Sequence, residues 1–525
     1  MRKVLTLILV AAMTVGLLCG CAAQASSGTS AAASEKPVQT ASTPAAAPSA
    51  SKQAQQTSEP ERQAESALKY VFLFIGDGMS YPQFQAAADY LGALSDDDDG
   101  ILDGSKPLSF MNFPVAGSAN TYDSTSFCPD SASTATSIAT GYKTYSGTIN
   151  MDETATIRYE TIAEKLHDQK GFEIGVISSV NLNHATPAAF YAHQAKRSSY
   201  YEIGLELIDS GFEYFAGGGL LKPTGSNADQ ENLYDLAAAA GYQVVMTQKE
   251  AQDVDTAADK VLIIDEHLAD SDAFAYENDR EAQDWALADY VKKGIEVLEN
   301  DTGFFMMVEG GKIDWACHAN DAGSTIADTI ALSNAVEVAM DFAKAHPDET
   351  LILVTGDHET GGLTIGYAGT NYDTYLSNLE NQKISYAKYD SDYISAYKQN
   401  NTDFETVLKD VEALFGLKTQ GDEADPLVLN EYELGLLEDA YERTMAGSDA
   451  PEATQAQYVL YGSYEPLSVT VTHLLNNKSG INFASYAHTG LPVAVFAQGA
   501  GADLFEGYYD NTQIYAKMAQ LLQID

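Results

Sequence analysis

Basic side chains are scarce in this chain. Its 525 residues carry 29 Lys and Arg against 75 Asp and Glu, a formal net charge of −46. A nucleic-acid binder needs a basic surface to displace phosphate counterions, and an anionic membrane needs a polybasic patch, so neither is the main function. Cysteine is scarce too, with four residues at positions 19, 21, 128 and 317. Long apolar runs are confined to the extreme N-terminus, and no later segment is apolar for the ~20 residues that a membrane-spanning helix requires. What is present is 45% hydrophobic and 10% aromatic residues. That suffices for a core, so the charge does not imply disorder.

The first residues read as an address. Arg2 and Lys3 precede an apolar stretch from Val4 to Leu18, and Leu18-Cys19-Gly20-Cys21 follows. This is the pattern of a secretory signal peptide over 1–20. Its end resembles a bacterial lipobox, in which Cys21 becomes the lipidated first residue of the mature protein. Cleavage a few residues later, after Ala22-Ala23-Gln24, is the alternative. The protein is therefore expected to be exported and anchored in the cell envelope through Cys21, or secreted. Residues 21–68 are mostly Ala, Ser, Thr, Gln and Pro, which cannot bury a core and predict a flexible linker. Once Cys19 and Cys21 are accounted for, Cys128 and Cys317 remain, too few for a disulfide scaffold.

From residue 69 to 525 the chain alternates apolar runs with helical patterns. Tyr70–Ile75, Glu173–Ile177, Phe304–Val308, Leu351–Val354 and Pro492–Phe496 each end in small or polar residues. Continuous apolar runs of this length are strands buried on both faces. Ile326–Ala345, which ends at His346-Pro347, is a helix by periodicity. The alternation predicts an α/β fold with a mostly parallel central sheet and helices on both faces. Ligands of such sheets bind beyond the carboxyl ends of the strands, so Asp77, Glu309, Asp314, Asp357 and His358 are expected on one rim. A stretch at about 368–480, rich in Tyr, Asn and Asp, breaks the pattern and predicts an insertion over or beside the sheet. Within it Thr402-Asp-Phe-Glu405 reads as a capping box. Phe404, Val407, Leu408, Val411 and Leu414 make one helix face, with Gly416 as its C-cap. Tyr432–Tyr441 predicts a second helix. Asp96–Asp99 reads as a solvated loop.

Four segments carry chemistry. Pro129-Asp-Ser131-Ala-Ser-Thr-Ala-Thr136 places a serine in the first turn of a helix, where free N–H groups favour an anion; alone, such a start is more often a cap. Asp314 and His318 stand at i, i+4, on one helix face, a pairing that suits Zn²⁺ or an ion pair. Asp357-His358 lies at a strand end in a Gly-rich loop. His488, in Tyr486-Ala-His-Thr-Gly490, reads on its own as a satisfied histidine.

Together with Phe74-Ile-Gly-Asp77-Gly-Met and His184-Ala-Thr186-Pro-Ala-Ala189 followed by Arg197, these segments resemble the alkaline phosphatase family, in its order, over roughly Tyr70 to the C-terminus. The resemblance implies hydrolysis of phosphate monoesters through a phosphoserine at Ser131, with Arg197 clamping the phosphate. It implies one Zn²⁺ held by Asp314, His318 and His488 and a second held by Asp77, Asp357 and His358. A third site, completed by Thr186 and Glu309 with Asp77 bridging and His184 as a further metal residue, would hold Mg²⁺, or Zn²⁺ because of that His184. Trp315 occupies a position where some members carry Lys or His, which implies a weaker grip on phosphate. A Cys128–Cys317 disulfide stays open. The insertion resembles the family's crown region, and a homodimer is implied. The expected partners are small-molecule phosphate monoesters, with membrane contact only through the N-terminal lipid. A phosphodiesterase or sulfatase with a similar core, and a non-catalytic envelope lipoprotein, are the alternatives.

Overall fold

The computed structural model describes residues 68–96, 102–255, 258–422 and 425–525. The expected leader, Cys21, nearly all of the linker and Asp97–Asp99 lie outside the described residues.

Among the described residues, ten strands form one sheet. They are β1 (Tyr70–Gly76), β2 (Val115–Asn120), β3 (Glu173–Asn181), β4 (Tyr214–Gly218) and β5 (Gln243–Val245). The chain continues with β6 (Val261–Ile264), β7 (Phe304–Gly310), β8 (Thr350–Gly356), β9 (Val493–Gly499) and β10 (Gly507–Asp510). Their order across the sheet is β10-β2-β9-β8-β1-β7-β3-β4-β6-β5. From β8 to β5 every pairing is parallel, and β9 alone runs antiparallel to both its neighbours. The expected α/β architecture is therefore present. The apolar runs read from the sequence are the strands β1, β3, β7, β8 and β9; β2, β4, β5 and β10 mix in small or polar residues, and β6, though wholly apolar, is only four residues long.

Alternation along a strand splits the core into two layers. Tyr70, Phe72 and Phe74 of β1 join one buried cluster, and Val71, Leu73 and Ile75 join the other. The first layer also takes in Leu376, Val407, Val411, Leu437 and Leu475, so the predicted insertion packs over that face of the sheet. Its main helices are Phe404–Phe415, Glu431–Ala446 and Pro466–Lys478. The cap of the first differs from the sequence reading. Asp403, not Thr402, is the N-cap, and its carboxylate accepts the Thr406 N–H at 3.0 Å. A carboxylate one residue nearer the helix outcompetes the Thr hydroxyl because it faces the N-terminal dipole as an anion. Gly416 closes the helix with φ 73°, as predicted.

Strand register brings the site together. Gly76 at the end of β1 lies opposite Gly310 of β7 and Gly356 of β8. The three strands thus end level, and Asp77, Lys312–His318 and Asp357-His358 leave from one edge. The glycines permit this convergence. A side chain at Gly356 would begin 1.9 Å from the Met79 carbonyl oxygen. Gly78 turns with φ +72°, and a Cβ there would lie 2.9 Å from the Asp314 Cα.

Candidate active site

Ser131 opens the helix Ser131–Thr140, whose Ser, Ala and Thr residues are all buried. Small side chains at nine of its ten positions let the helix sit this deep. Asp130 caps it, accepting the Ser133 N–H at 3.1 Å. Ser131 is 2% exposed, and its Oγ lies 3.2 Å from His358 Nε2. One turn on, the Thr134 hydroxyl donates to Asp357 Oδ2 at 3.1 Å. The helix is thereby stitched to the end of β8.

His358 is the hub. Its Nε2 is 3.3 Å from Asp77 Oδ1 and 3.3 Å from Asp357 Oδ2. Two groups of side chains could each hold a metal ion, Asp77–Asp357–His358 and Asp314–His358–His488, with ligand atoms within 4.8 Å of one another in each. His318 joins the second group. Its Nε2 is 3.0 Å from His488 Nε2 and 3.4 Å from Asp314 Oδ2. Both rings are oriented from behind, with His318 Nδ1 2.6 Å from the Tyr486 carbonyl and His488 Nδ1 2.5 Å from that of Pro129. A carbonyl only accepts, so each Nδ1 carries a proton, and in the neutral ring each Nε2 presents a lone pair.

Next to Asp77 lies an all-oxygen corner. The Thr186 hydroxyl donates to Asp77 Oδ2 at 3.0 Å, and Ser178 donates to Glu309 Oε2 in a short hydrogen bond. Asp77 Oδ1 and Glu309 Oε1 are buried without any hydrogen-bond partner. His184 stands apart from both groups. Its Nε2 is 3.2 Å from Arg197 Nη2, and its Nδ1 is buried without a partner. The other arm of Arg197 donates to Asp130 Oδ2 at 2.9 Å.

Burial dominates the electrostatics. It pushes the Asp77 and Glu309 carboxyls well above the usual range, reinforced at Asp77 by Asp357 and at Glu309 by Asp77. Asp357 is pushed up to about 7 by burial and then by Asp314. Asp314 is itself held low: burial raises it, but the facing imidazoles of His318, His488 and His358 outweigh that. Burial lowers His358 and His488 and brings His184 down to about 3. Burial would also weaken Arg197, but Asp130 keeps its guanidinium charged. Buried acids that resist ionising, orphaned oxygens and opposed imidazole lone pairs fit cations.

The structure thus brings together Ser131, Asp77, Asp314, His318, Asp357, His358 and His488, with Thr186 and Glu309 adjoining and His184 paired to Arg197. The motif reading did not single out Asp130, Thr134, Ser178 or Thr360, whose hydroxyl donates to Asp314 Oδ1 at 2.5 Å and lies 3.2 Å from His358 Nδ1. Their only signal was position: each lies within a few residues of a motif or at the end of a strand. The open question of a disulfide closes on two free thiols, Cys128 exposed and Cys317 buried. Cys317 Sγ packs 3.5 Å from the Thr325 hydroxyl.

The family model for alkaline phosphatase matches residues 68–216 and 213–524. Alkaline phosphatase 3 of Bacillus subtilis is 29% identical over 476 residues, covering 89% of this chain and 91% of its own. Among solved structures, the cold-active alkaline phosphatase of a psychrophilic Shewanella is 29% identical with a TM-score of 0.69, covering 86% of this chain and 99% of its own. The Thermus thermophilus alkaline phosphatase shares the fold, with a TM-score of 0.70 at 23% identity over 89% of this chain and 94% of its own.

Proposed function

Because this chain belongs to the alkaline phosphatase family and hydrolyses phosphate monoesters, we propose that Ser131 is the nucleophile and Arg197 the phosphate clamp of that reaction. The observation that carries this reading is the Ser131 hydroxyl, buried beside His358 at the point where both candidate metal groups meet.

Asp314, His318 and His488 would hold one Zn²⁺, since a carboxylate and two oriented imidazoles suit that ion. Asp77, Asp357 and His358 would hold a second. Asp77, Thr186 and Glu309, all oxygen donors, would hold Mg²⁺. His184 would adjoin this third site without filling it, because its Nε2 already meets Arg197. Bound there, the cations would neutralise the phosphate dianion and favour the ionised serine.

The chain's own residues supply the rest. Arg197, oriented by Asp130 and His184, offers its planar fork to two phosphoryl oxygens. Ser131 Oγ attacks phosphorus in line with the departing alcohol oxygen, and the serine proton ends on the alcohol. The P–O bond to the alcohol breaks and a phosphoserine forms. Water then attacks from the side the alcohol left, returning the serine hydroxyl and releasing inorganic phosphate. Trp315 offers no charge to that phosphate, which favours release over retention.

The N-terminal residues support export with a lipid on Cys21, and no helix among the described residues is long and apolar enough to cross a membrane. A homodimer completes the reading. The test is substrate preference: p-nitrophenyl phosphate should be cleaved much faster than bis-p-nitrophenyl phosphate, and Ser131→Ala should abolish the difference. A preference for the diester overturns the proposal.

A further inference from the structure

Lys312 is the most deeply buried cation of the described chain that the reaction does not use, and it lies within the segment that carries Asp314 and His318. Its side chain is 0% exposed. The ammonium nitrogen is 2.6 Å from Asp270 Oδ1, 3.8 Å from the centre of the Tyr276 ring and 4.7 Å from the centre of the Trp315 ring. Tyr276 is fixed in turn by the Tyr386 hydroxyl of the insertion, 3.3 Å from its own. A cation in such an aromatic cage is held by the ring faces as well as by its carboxylate, and it holds them.

What it holds matters because of where Trp315 points. The indole meets the His184 ring edge to face, with centres 6.0 Å apart and planes at 79°. His184 Nε2 is the partner of one Arg197 arm and Asp130 of the other. Unbroken contacts therefore run from Asp270 through Lys312, Trp315 and His184 to Arg197. His184 has no hydrogen bond of its own to fix its ring from behind, since its Nδ1 is unpartnered. The indole is the ring packed against it.

We infer that Lys312 is a positioning residue for the phosphate clamp: anchored on Asp270, it holds Trp315 against His184 and so keeps the Arg197 fork aimed at the phosphoryl oxygens. Loosening it blunts the grip on substrate and on product phosphate and leaves the bond-making step intact. The inference rests on the reading of Arg197 as the clamp. A merely structural role, in which Lys312 buttresses the short helix Lys312–His318, would instead act through the metal ligands on that helix.

The test uses the Trp285→Phe protein, in which Trp315 is the sole indole, since the chain has two tryptophans. Lys312→Met, Lys312→Arg and, to avoid stranding a carboxylate, Lys312→Met with Asp270→Asn are compared in that background. The measurements are bound metal per chain, Trp315 emission and its acrylamide quenching, KM, kcat and inhibition by inorganic phosphate. With metal content unchanged, the Met variants should show Trp315 emission at longer wavelength and easier quenching. KM and the phosphate inhibition constant should both rise about three- to tenfold without a fall in kcat, the loss of a desolvated cation–π contact. Lys312→Arg should restore all four. Unchanged emission and KM in metal-replete Met variants overturn the inference, as does a fall in kcat that tracks lost metal. An Arg197→Ala control separates the two levels. If it lowers kcat/KM and the Lys312 variants do not, this inference alone fails; if it leaves kcat/KM unchanged, the clamp reading beneath it fails.

Discussion

His318 and His488 face each other nitrogen to nitrogen, with Nε2 atoms 3.0 Å apart, while the Nδ1 of each is tied to a main-chain carbonyl. With each Nδ1 committed to a carbonyl, the two Nε2 atoms confront one another, which is unfavourable unless a proton or a cation lies between their directions. Asp314, near both, accepts from the Thr360 hydroxyl and adds the negative charge a divalent ion needs. The two rings come from separate elements, the helix Lys312–His318 and a two-residue strand His488–Thr489 paired with Glu359-Thr360. The fold therefore spends two independent segments on building one nitrogen pair.

That pair predicts a specific loss. His318→Ala and His488→Ala should each lower bound zinc by one equivalent per chain, measured by elemental analysis after dialysis. Hydrolysis should fall by more than about 10-fold, since even outer partners of metal ligands cost about 10- to 100-fold. Removal of metal from the wild type by a chelator should lower Tm, and added zinc should restore it, because a ligand bound only by the folded state stabilises it.

Arg197 predicts a second asymmetry. Arg197→Ala should reduce kcat/KM by about 100-fold, the scale for losing a preorganised donor to a developing anion. Arg197→Lys should recover little of it, because a point charge cannot reach Asp130, His184 and two phosphoryl oxygens at once. Steady-state kinetics with product inhibition checks both.

A third prediction concerns pH and lies away from the site. Asp390, in the insertion, has a carboxyl pushed up to about 7 by burial, only partly offset by the Ser468 hydroxyl, and its Oδ1 has no hydrogen-bond partner. Its raised proton affinity means that the folded chain keeps a proton which the unfolded chain releases near pH 4. Stability should therefore fall as pH rises from about 4 to about 7, and the penalty should persist above that. Asp390→Asn should be stabilising by roughly 1–2 kcal/mol at pH 9, allowing for partial exposure, and nearly neutral at pH 4. Thermal melts across that range measure it.

The sequence made the centre of the site readable and left its surroundings dark, for a physical reason. Asp77, Asp357 and His358 follow strands buried on both faces, and such runs announce themselves; what comes just past their ends is where a parallel sheet puts ligands. His488 read alone as an ordinary histidine, and only its partner His318, 170 residues away, shows why its Nε2 is aimed as it is. Thr360 and Ser178 act through one hydroxyl each, on residue types that occur everywhere. The antiparallel β9 was visible as a strand, but strand direction is set by its pairing with β8 and β2, which no local pattern encodes. The cap at Asp403 was missed by one residue because Thr402 satisfies the same spacing rule.

The net charge of −46 predicts an inverse salt effect. A dianionic ester approaching this surface is repelled until it reaches Arg197 and the rim where the candidate metal groups lie. Raising ionic strength from about 10 mM to about 150 mM shortens the screening length from roughly 30 to 8 Å. kcat/KM should rise where encounter limits the rate. A steep fall with salt would count against a site whose positive charge is only local.

In the proposed reaction Ser131 carries the phosphoryl group between alcohol and water. The direct measurement is an acid quench of the metal-replete enzyme during turnover of a ³²P-labelled monoester, followed by peptide mapping. Label should appear on the peptide containing Ser131, at that serine, and vanish in Ser131→Ala together with hydrolysis. Label on another residue, or undiminished hydrolysis by Ser131→Ala, would contradict the account.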